Sequence, residues 1–422
     1  MRVYDLQSYQ SHLRYSMRPS QSSTRQFSPP MVMDSALALR TTSVVTGFFS
    51  IPDLPSYFKY SLRTNPYERQ VLFETKGWFF QGDFFVKPHA SDSYDRDNFA
   101  YLASTCYPEA DYLRIRVCSD FLILLFHLDD ITDDMDTTDT DSVAEIVMNT
   151  LRDPYGYDSP TRVGVLIKDF WRRFIRTGSH GAQRRFIKAF DLYFRSIHSQ
   201  SAYRAAGFVP SPHDYSALRR DTSGCMMCYA LTEYANDLHI PDSVILHPAI
   251  RGMEDASNDL VSFANDIYSY NLEQSKGDSH NMIAVLMHRD QIPLQAAVER
   301  VGDICRDAIH RYNKWRRKLP SWGPEIDRDV VRYADGLADW MVGVMHWSFE
   351  TERYFGRQAK IVKKEPVGKM MDRAGLPDGT VSDASFSFLH DGSLEPVYYT
   401  VLFCLQKITL RHASVAIALS KK

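Results

Sequence analysis

Seven stretches between residues 66 and 355 carry apolar side chains every three to four positions: RQVLFETKGWFF, LRIRVCSDFLILLFHL, DSVAEIVMNTLRD, RVGVLIKDFWRRFIRT, QRRFIKAFDLYFRSIHSQSAYR, AVERVGDICRDAIHRYNKWRRK and VVRYADGLADWMVGVMHWSFETERYF. That period lays one apolar stripe along each helix, and the stripes must be buried against one another. Alternating runs of strand type are few, and no repeat of solenoid length occurs. The expected fold is all-α: one domain over residues 46–358 with enough helices to enclose a central cavity. Of the 422 residues 44% are apolar and 13% aromatic, which is ample for such a core.

The flanks lack this period. Residues 1–45 are dominated by Ser, Arg and Gln (SMRPSQSSTRQFSPP), which predicts a disordered tail. Pro52, Pro55 and Pro66 make the entry to the domain irregular, because proline interrupts helical hydrogen bonding. Past Tyr354 turn residues accumulate, and residues 359–422 are expected to form an irregular appendage.

Several classes are excluded by composition. The 49 basic and 52 acidic residues give a net charge of −3, so no nucleic-acid partner is expected. No run of about 18 apolar residues occurs, so no stable membrane insertion is expected either. Six cysteines, mostly in apolar surroundings, fit reduced thiols in a cytoplasmic protein. Cys225 and Cys228 form a C-x-x-C, but neither a second pair nor a histidine cluster completes a zinc site, so helix packing is the better reading.

Two polar stripes interrupt the apolar pattern. In FHLDDITDDMDTTDTD, Asp129 and Asp133 are four apart and stack on one face, with Asp130 beside them. Like charges at this spacing repel at the end of a very apolar helix, and a hard divalent ion such as Mg²⁺ relieves the repulsion. A solvated acidic loop or a helix cap is the plainer alternative. An EF-hand is excluded, since Met135 stands where that loop requires glycine. In NDIYSYNLE, Asn265, Ser269 and Glu273 follow at four-residue steps and give three oxygen donors on one face. Taken alone, that stripe also describes a wet helix face.

Two hard-metal stripes in one helical domain point to a polyphosphate held between them. Basic partners are available in Arg219 and Arg220 of LRRDTSG, in Lys276, and in Arg353 beside Tyr354. Arginine suits phosphate because its planar fork donates two parallel hydrogen bonds. Each of these residues alone is also an ordinary surface charge.

The combined pattern resembles the class I terpene synthases, specifically the fungal sesquiterpene cyclases. DDITD, Asp129 to Asp133, is similar to the family's aspartate-rich metal motif, and NDIYSYNLE to its N-D-x-x-S-x-x-x-E triad. Arg219 lies 265 − 219 = 46 residues before Asn265, the usual place of the diphosphate-sensing arginine. WSFETERY resembles the segment that ends in the diphosphate-binding Arg-Tyr pair, and IPDLPSY with LRTNPYE resembles the entry segment. The likeness spans roughly residues 48–357.

This resemblance implies an enzyme that ionises farnesyl diphosphate, releases diphosphate and cyclises the cation to a C15 terpene. It implies metal ligands at Asp129, Asp130, Asp133, Asn265, Ser269 and Glu273 for three Mg²⁺ ions. Arg219, Lys276, Arg353 and Tyr354 would grip the diphosphate, with Arg219, Arg353 and Tyr354 acting in catalysis. Phe126 and Trp347 would line the pocket, and Ser223 and Gly224 would form a helix break facing it; ordinary core packing is the alternative for the two aromatics. A monomer or homodimer is expected. The competing readings are a C10 or C20 substrate and a non-catalytic helical scaffold derived from a cyclase. A chain-elongating prenyl synthase is disfavoured, since it needs a second aspartate-rich motif where this chain has Asn, Ser and Glu.

Overall fold

The computed structural model describes residues 47–81, 90–133, 135 and 137–371, without the side chains of residues 90–93, 133 and 369. The expected N-terminal tail, and the expected appendage from residue 372 onward, lie outside the described residues. In chain order the elements are β1 (Phe48–Ser50), α1 (Glu68–Phe79), α2 (Ala90–Asp97), α3 (Phe99–Cys106), α4 (Tyr112–Asp133), α5 (Thr137–Arg152), α6 (Arg162–Thr177), α7 (His180–Ala205) and α8 (Pro212–Thr222). They continue with α9 (Cys225–Ala235), α10 (Asp242–Ile245), α11 (Pro248–Lys276), α12 (Met282–Asp290), α13 (Leu294–Arg316), α14 (Pro324–Trp347), α15 (Ala359–Lys364) and β2 (Val367–Lys369). The fold is all-α, as the helical period predicts; six of the seven periodic stretches fall almost wholly on helix, and the seventh does so up to Trp347 and continues as turns to residue 355.

Local chemistry accounts for the helix ends. The Thr161 hydroxyl accepts from the Gly164 amide to cap α6, and Ser179 accepts from Ala182 to cap α7. Helix α11 starts at Pro248, where proline lacks only an amide that would go unbonded anyway. It runs 29 residues, roughly 44 Å at 1.5 Å per residue. Gly277, at φ 77°, ends it in a left-handed turn, with the Gly277 amide donating to the Gln274 carbonyl and the Asp278 amide to that of Glu273.

Burial follows the apolar pattern. Helix α4 is apolar all round over Phe121, Leu122, Ile123 and Leu124 and is accordingly buried on every side. Helix α6 buries one stripe of Leu166, Ile167, Phe170, Trp171 and Phe174, and Phe174 stacks on Tyr234 of α9. Helix α11 packs along α13 and α14 and also contacts α8, α9 and α12. Five cysteines, Cys225 and Cys228 among them, are buried free thiols. Among the described residues no helix is long and apolar enough to cross a membrane.

One expected boundary moves. Residues 359–371 were expected to belong to an irregular appendage, yet they contain α15 and β2. Strand β2 pairs antiparallel with β1, with Phe49 opposite Gly368. A Cβ on Gly368 would stand 2.7 Å from the Phe49 ring, so the missing side chain lets the strands close. The Met371 amide donates to Asn271 Oδ1 at 2.8 Å, and Gln274 Nε2 donates to the Met371 carbonyl at 2.8 Å. The domain therefore extends past 358, because a three-residue strand has too little period to announce its distant partner.

Candidate active site

Helices α3, α4, α7, α8, α9, α11 and α14 surround a cavity that holds about 720 Å³ of atom-free space, its open mouth included. Its walls include Leu102, Leu122, Leu125, Phe126, Val261, Trp340, Val344 and Trp347. This lining suits a small apolar ligand. The polar lining includes Asp129, Arg219, Asn265 and Tyr354, which come from four separate parts of the chain.

Three of these four are joined by hydrogen bonds. Arg219 Nη2 donates to Asn265 Oδ1 at 2.8 Å, and Asn265 Nδ2 donates to the Tyr354 hydroxyl at 2.9 Å. Arg219 Nε donates to Asp266 Oδ1 at 3.0 Å, while Asp266 Oδ2 accepts from the Tyr215 hydroxyl at 2.7 Å and the Met282 amide at 2.9 Å. Arg219 is thus aimed from behind by a buried carboxylate. Its neighbour Arg220 turns away, forming a fork to Asp259 at 2.7 and 2.8 Å. Of the two arginines, Arg219 lines the cavity and Arg220 does not.

The remaining residues of the second stripe lie one and two turns past Asn265, outside the cavity lining. Ser269 Oγ donates to the Asn265 carbonyl at 2.7 Å. Glu273 Oε2 accepts from Asn281 Nδ2 at 2.9 Å, and burial, with the charge of Asp266, pushes its carboxyl up to about 8. Lys276 is exposed in the last turn of α11 and is not part of the lining.

On the opposite wall Asp129 faces the cavity, and Asp130 is exposed and paired with Arg353, whose Nη2 donates to its Oδ1 at 2.9 Å. The side chain of Asp133 lies outside the described residues. Burial pushes the Tyr354 hydroxyl up to about 12, and the charges of Glu273 and Asp129 both act on it in the same direction. Asp129 and Asn265, one from each polar stripe, share the cavity lining with Tyr354.

The aromatic residues also come together. The Phe126 ring centroid is 4.7 Å from Phe99 and 5.4 Å from Trp347, and Trp347 is 5.8 Å from Tyr354. The Arg353 guanidinium sits 4.9 Å above Phe126. Trp347 Nε1 donates to the Asp97 carbonyl at 2.8 Å, so its polar edge is satisfied away from the apolar wall. Ser223 lines the cavity at the break between α8 and α9. Gly224 adopts φ 72° there, and a Cβ would lie 2.9 Å from Leu125 Cδ2, so only glycine allows this close approach without strain.

Among the described residues no three His, Cys, Asp or Glu side chains converge as a ready metal cluster. The donor set still suits a hard divalent ion. It is all oxygen, from carboxylate, amide and hydroxyl. Glu273 is a half-buried carboxylate whose charge is penalised by its partial removal from water, and a bound cation offsets that penalty.

Some residues of the site were not read from the sequence: Asp266 behind Arg219, Asn281 behind Glu273, and Ser262 in the wall. Ser262 was accessible to sequence reasoning, since it continues the Asn265 stripe three residues earlier. Asp266 is the second residue of the N-D-x-x-S-x-x-x-E pattern, but its place behind Arg219 is set by contacts between helices, and Asn281 carries no such signal.

Residues 120–311 match the family model described as terpene synthase family 2, C-terminal metal binding. The chain is 48% identical over 327 residues to sesquiterpene synthase Agr1 of Cyclocybe aegerita, covering 78% of this chain and 94% of that protein. It is 40% identical over 346 residues to alpha-muurolene synthase of Coprinopsis cinerea, covering 78% and 80%. The fold matches the crystal structure of a-eudesmol synthase with a TM-score of 0.63 at 18% identity, covering 69% of this chain and 97% of that one. With similarity of this degree along nearly the full length of such relatives, and a helical cavity flanked by both motifs, the chain belongs to the fungal sesquiterpene synthases of the class I terpene synthase family.

Proposed function

We propose that the protein ionises farnesyl diphosphate with the aid of Mg²⁺, releases diphosphate and cyclises the C15 cation to a terpene. The observation that carries this reading is the Arg219–Asn265–Tyr354 hydrogen-bonded chain at a largely apolar cavity, with Asp129 in the same lining. Asp129, Asp130 and Asp133 on one wall, and Asn265, Ser269 and Glu273 on the other, would hold three Mg²⁺ ions. Bound magnesium supplies Lewis-acid stabilisation of the charge on the leaving diphosphate.

The chain's own residues supply the rest. Arg219, Arg353 and Tyr354 donate hydrogen bonds to diphosphate oxygens, and Lys276 adds a point charge nearby. Asp266 keeps Arg219 aimed before substrate arrives, so little reorganisation is needed as charge develops. The apolar walls exclude water, which would otherwise trap the cation as an alcohol. The faces of Phe126 and Trp347 stabilise positive charge by roughly 0.5–2 kcal/mol each. Ser223 and Gly224 turn the chain at the break and bring oxygen atoms toward the cavity. A cytoplasmic location is part of this reading, supported by the five buried free thiols.

The test is incubation of the full chain with C10, C15 and C20 diphosphates and Mg²⁺, following diphosphate release and analysing extracts by gas chromatography. A volatile C15 product, lost on chelation and restored by Mg²⁺, is expected. A folded protein that turns over none of the three substrates is a helical scaffold.

A further inference from the structure

The polar stripe on α11 does not begin at Asn265. Ser262 and Asn258 extend it three and seven residues toward the N-terminus, on the same helical face. Ser262 lines the cavity, and so does Ser223 across from it at the α8–α9 break. Asn258 is absent from the lining and is only 1% exposed, so it lies behind both hydroxyls.

One amide oxygen serves both serines. Asn258 Oδ1 accepts from Ser223 Oγ at 2.9 Å and from Ser262 Oγ at 2.8 Å. Asn258 Nδ2 donates to the Arg220 carbonyl at 2.8 Å, near the end of α8. That bond decides the orientation of the amide: a carbonyl can only accept, so the nitrogen faces Arg220 and the oxygen faces the serines. Ser223 Oγ also accepts from the Cys225 amide at 3.2 Å and has the Arg220 carbonyl at 3.1 Å as a second acceptor. Each hydroxyl has one proton, and in both residues that proton points to an acceptor within the protein.

We propose that Asn258 is a positioning residue: by accepting the Ser262 hydroxyl proton, and sharing that of Ser223 with the Arg220 carbonyl, it leaves an oxygen lone pair on each serine to face the carbocation, and so helps to set which terpene forms. The inference rests on the reading that a C15 cation occupies this cavity. A hydroxyl dipole with its oxygen toward a cation stabilises it, and the same dipole reversed destabilises it. The surrounding Leu, Val, Phe and Trp side chains screen little, so a fixed dipole counts for more here than in water. Positive charge that moves along the isoprenoid is then held longest at carbons beside the two oxygens, and a proton on an adjacent carbon leaves from there to the diphosphate released in the ionisation, its C–H electron pair closing the double bond.

Three sets of variants test this with farnesyl diphosphate and Mg²⁺, reading product ratio, total diphosphate release and melting temperature separately. In Asn258→Leu the share of the leading product falls by about threefold or more, while diphosphate release stays within about threefold of the unaltered chain. Asn258→Asp keeps the leading product, because a buried carboxyl protonates, accepts both serines through its carbonyl oxygen and donates to Arg220 through its O–H. The double variant Ser223→Ala/Ser262→Ala shifts the ratio, and adding Asn258→Leu shifts it no further. An unchanged ratio in folded Asn258→Leu, loss of all diphosphate release in that folded variant, equal shifts in the Asp and Leu variants, or a further shift in the serine-free background each overturns the role. Should Asn258→Leu not fold, the serine pair decides: no change of ratio there overturns it equally. Failure of the unaltered chain to release diphosphate removes the cyclase reading together with this one, whereas release with an unmoved ratio removes only the role of Asn258.

Discussion

Arg353 Nη2 donates to Asp130 Oδ1 at 2.9 Å and joins the segment after the last long helix to an acidic turn 223 residues earlier. The same guanidinium lies 4.9 Å above the Phe126 ring and 3.7 Å from Asp97. In the proposed reading a diphosphate that takes this arginine competes with Asp130, which would couple the two motifs to substrate. Arg353→Lys keeps the charge but loses the planar fork and the ring contact. A fall in kcat/KM of about tenfold or more is expected, with little change in melting temperature. Activity equal to that of the unaltered chain would exclude Arg353 from the substrate grip.

Asn265 connects Arg219 to Tyr354 and is the first donor of the second stripe. Asn265→Leu removes both bonds and one proposed metal ligand. Diphosphate release should fall by about 100-fold or more, and stability by only about 1–3 kcal/mol for the lost buried bonds. Normal turnover in this variant refutes the ligand assignment; circular dichroism and a thermal melt show whether the fold survives.

Gly224 combines φ 72° with close approach to Leu125, which itself lines the cavity. Gly224→Ala is expected to cost about 1–3 kcal/mol and to displace the Leu125 side chain. A lower melting point and an altered product profile should appear together. A variant as stable as the parent would mean that the break relaxes without strain.

His127 stacks edge-on against Phe79, with ring centroids 5.4 Å apart. Burial, and then the charge of Arg162, pushes its imidazole down from 6.5 to about 4. The unfolded chain therefore binds more protons across that interval. The stability contributed by the neutral ring is complete above about pH 6.5 and is lost as pH falls toward 4. His127→Phe keeps an aromatic ring and removes the titration. Its stability should fall less between those two pH values, by an amount on the order of 3 kcal/mol. Denaturant melts at several pH values measure this, and parallel curves for the two proteins would contradict it.

Strand β2 and Met371 tie the residues after Tyr354 to β1 and to Asn271 and Gln274 on α11. Deleting residues 359–422 removes all of these contacts, and deleting residues 372–422 removes none of them. The longer deletion should melt several degrees below the shorter one, by about 2–4 °C per kcal/mol lost. Equal melting points would show that the strand pairing adds nothing to stability.

Much of the site could be read from local spacing. Asp129 with Asp133, and Asn265 with Ser269 and Glu273, repeat at the pitch of a helix, so their shared faces follow from the chain alone. The same pitch carries the stripe back to Ser262 and Asn258. The seven apolar periods likewise required helices that bury one face each. Tertiary structure alone decided which stripes meet. Asn265 reaches Tyr354 across 89 residues, Ser223 reaches Asn258 across 35, and β1 finds a three-residue partner near the far end of the described chain. Helical periodicity is an interaction among near neighbours and is written in their order. Contacts between distant segments depend on how every intervening helix packs, and no short stretch of sequence contains that information.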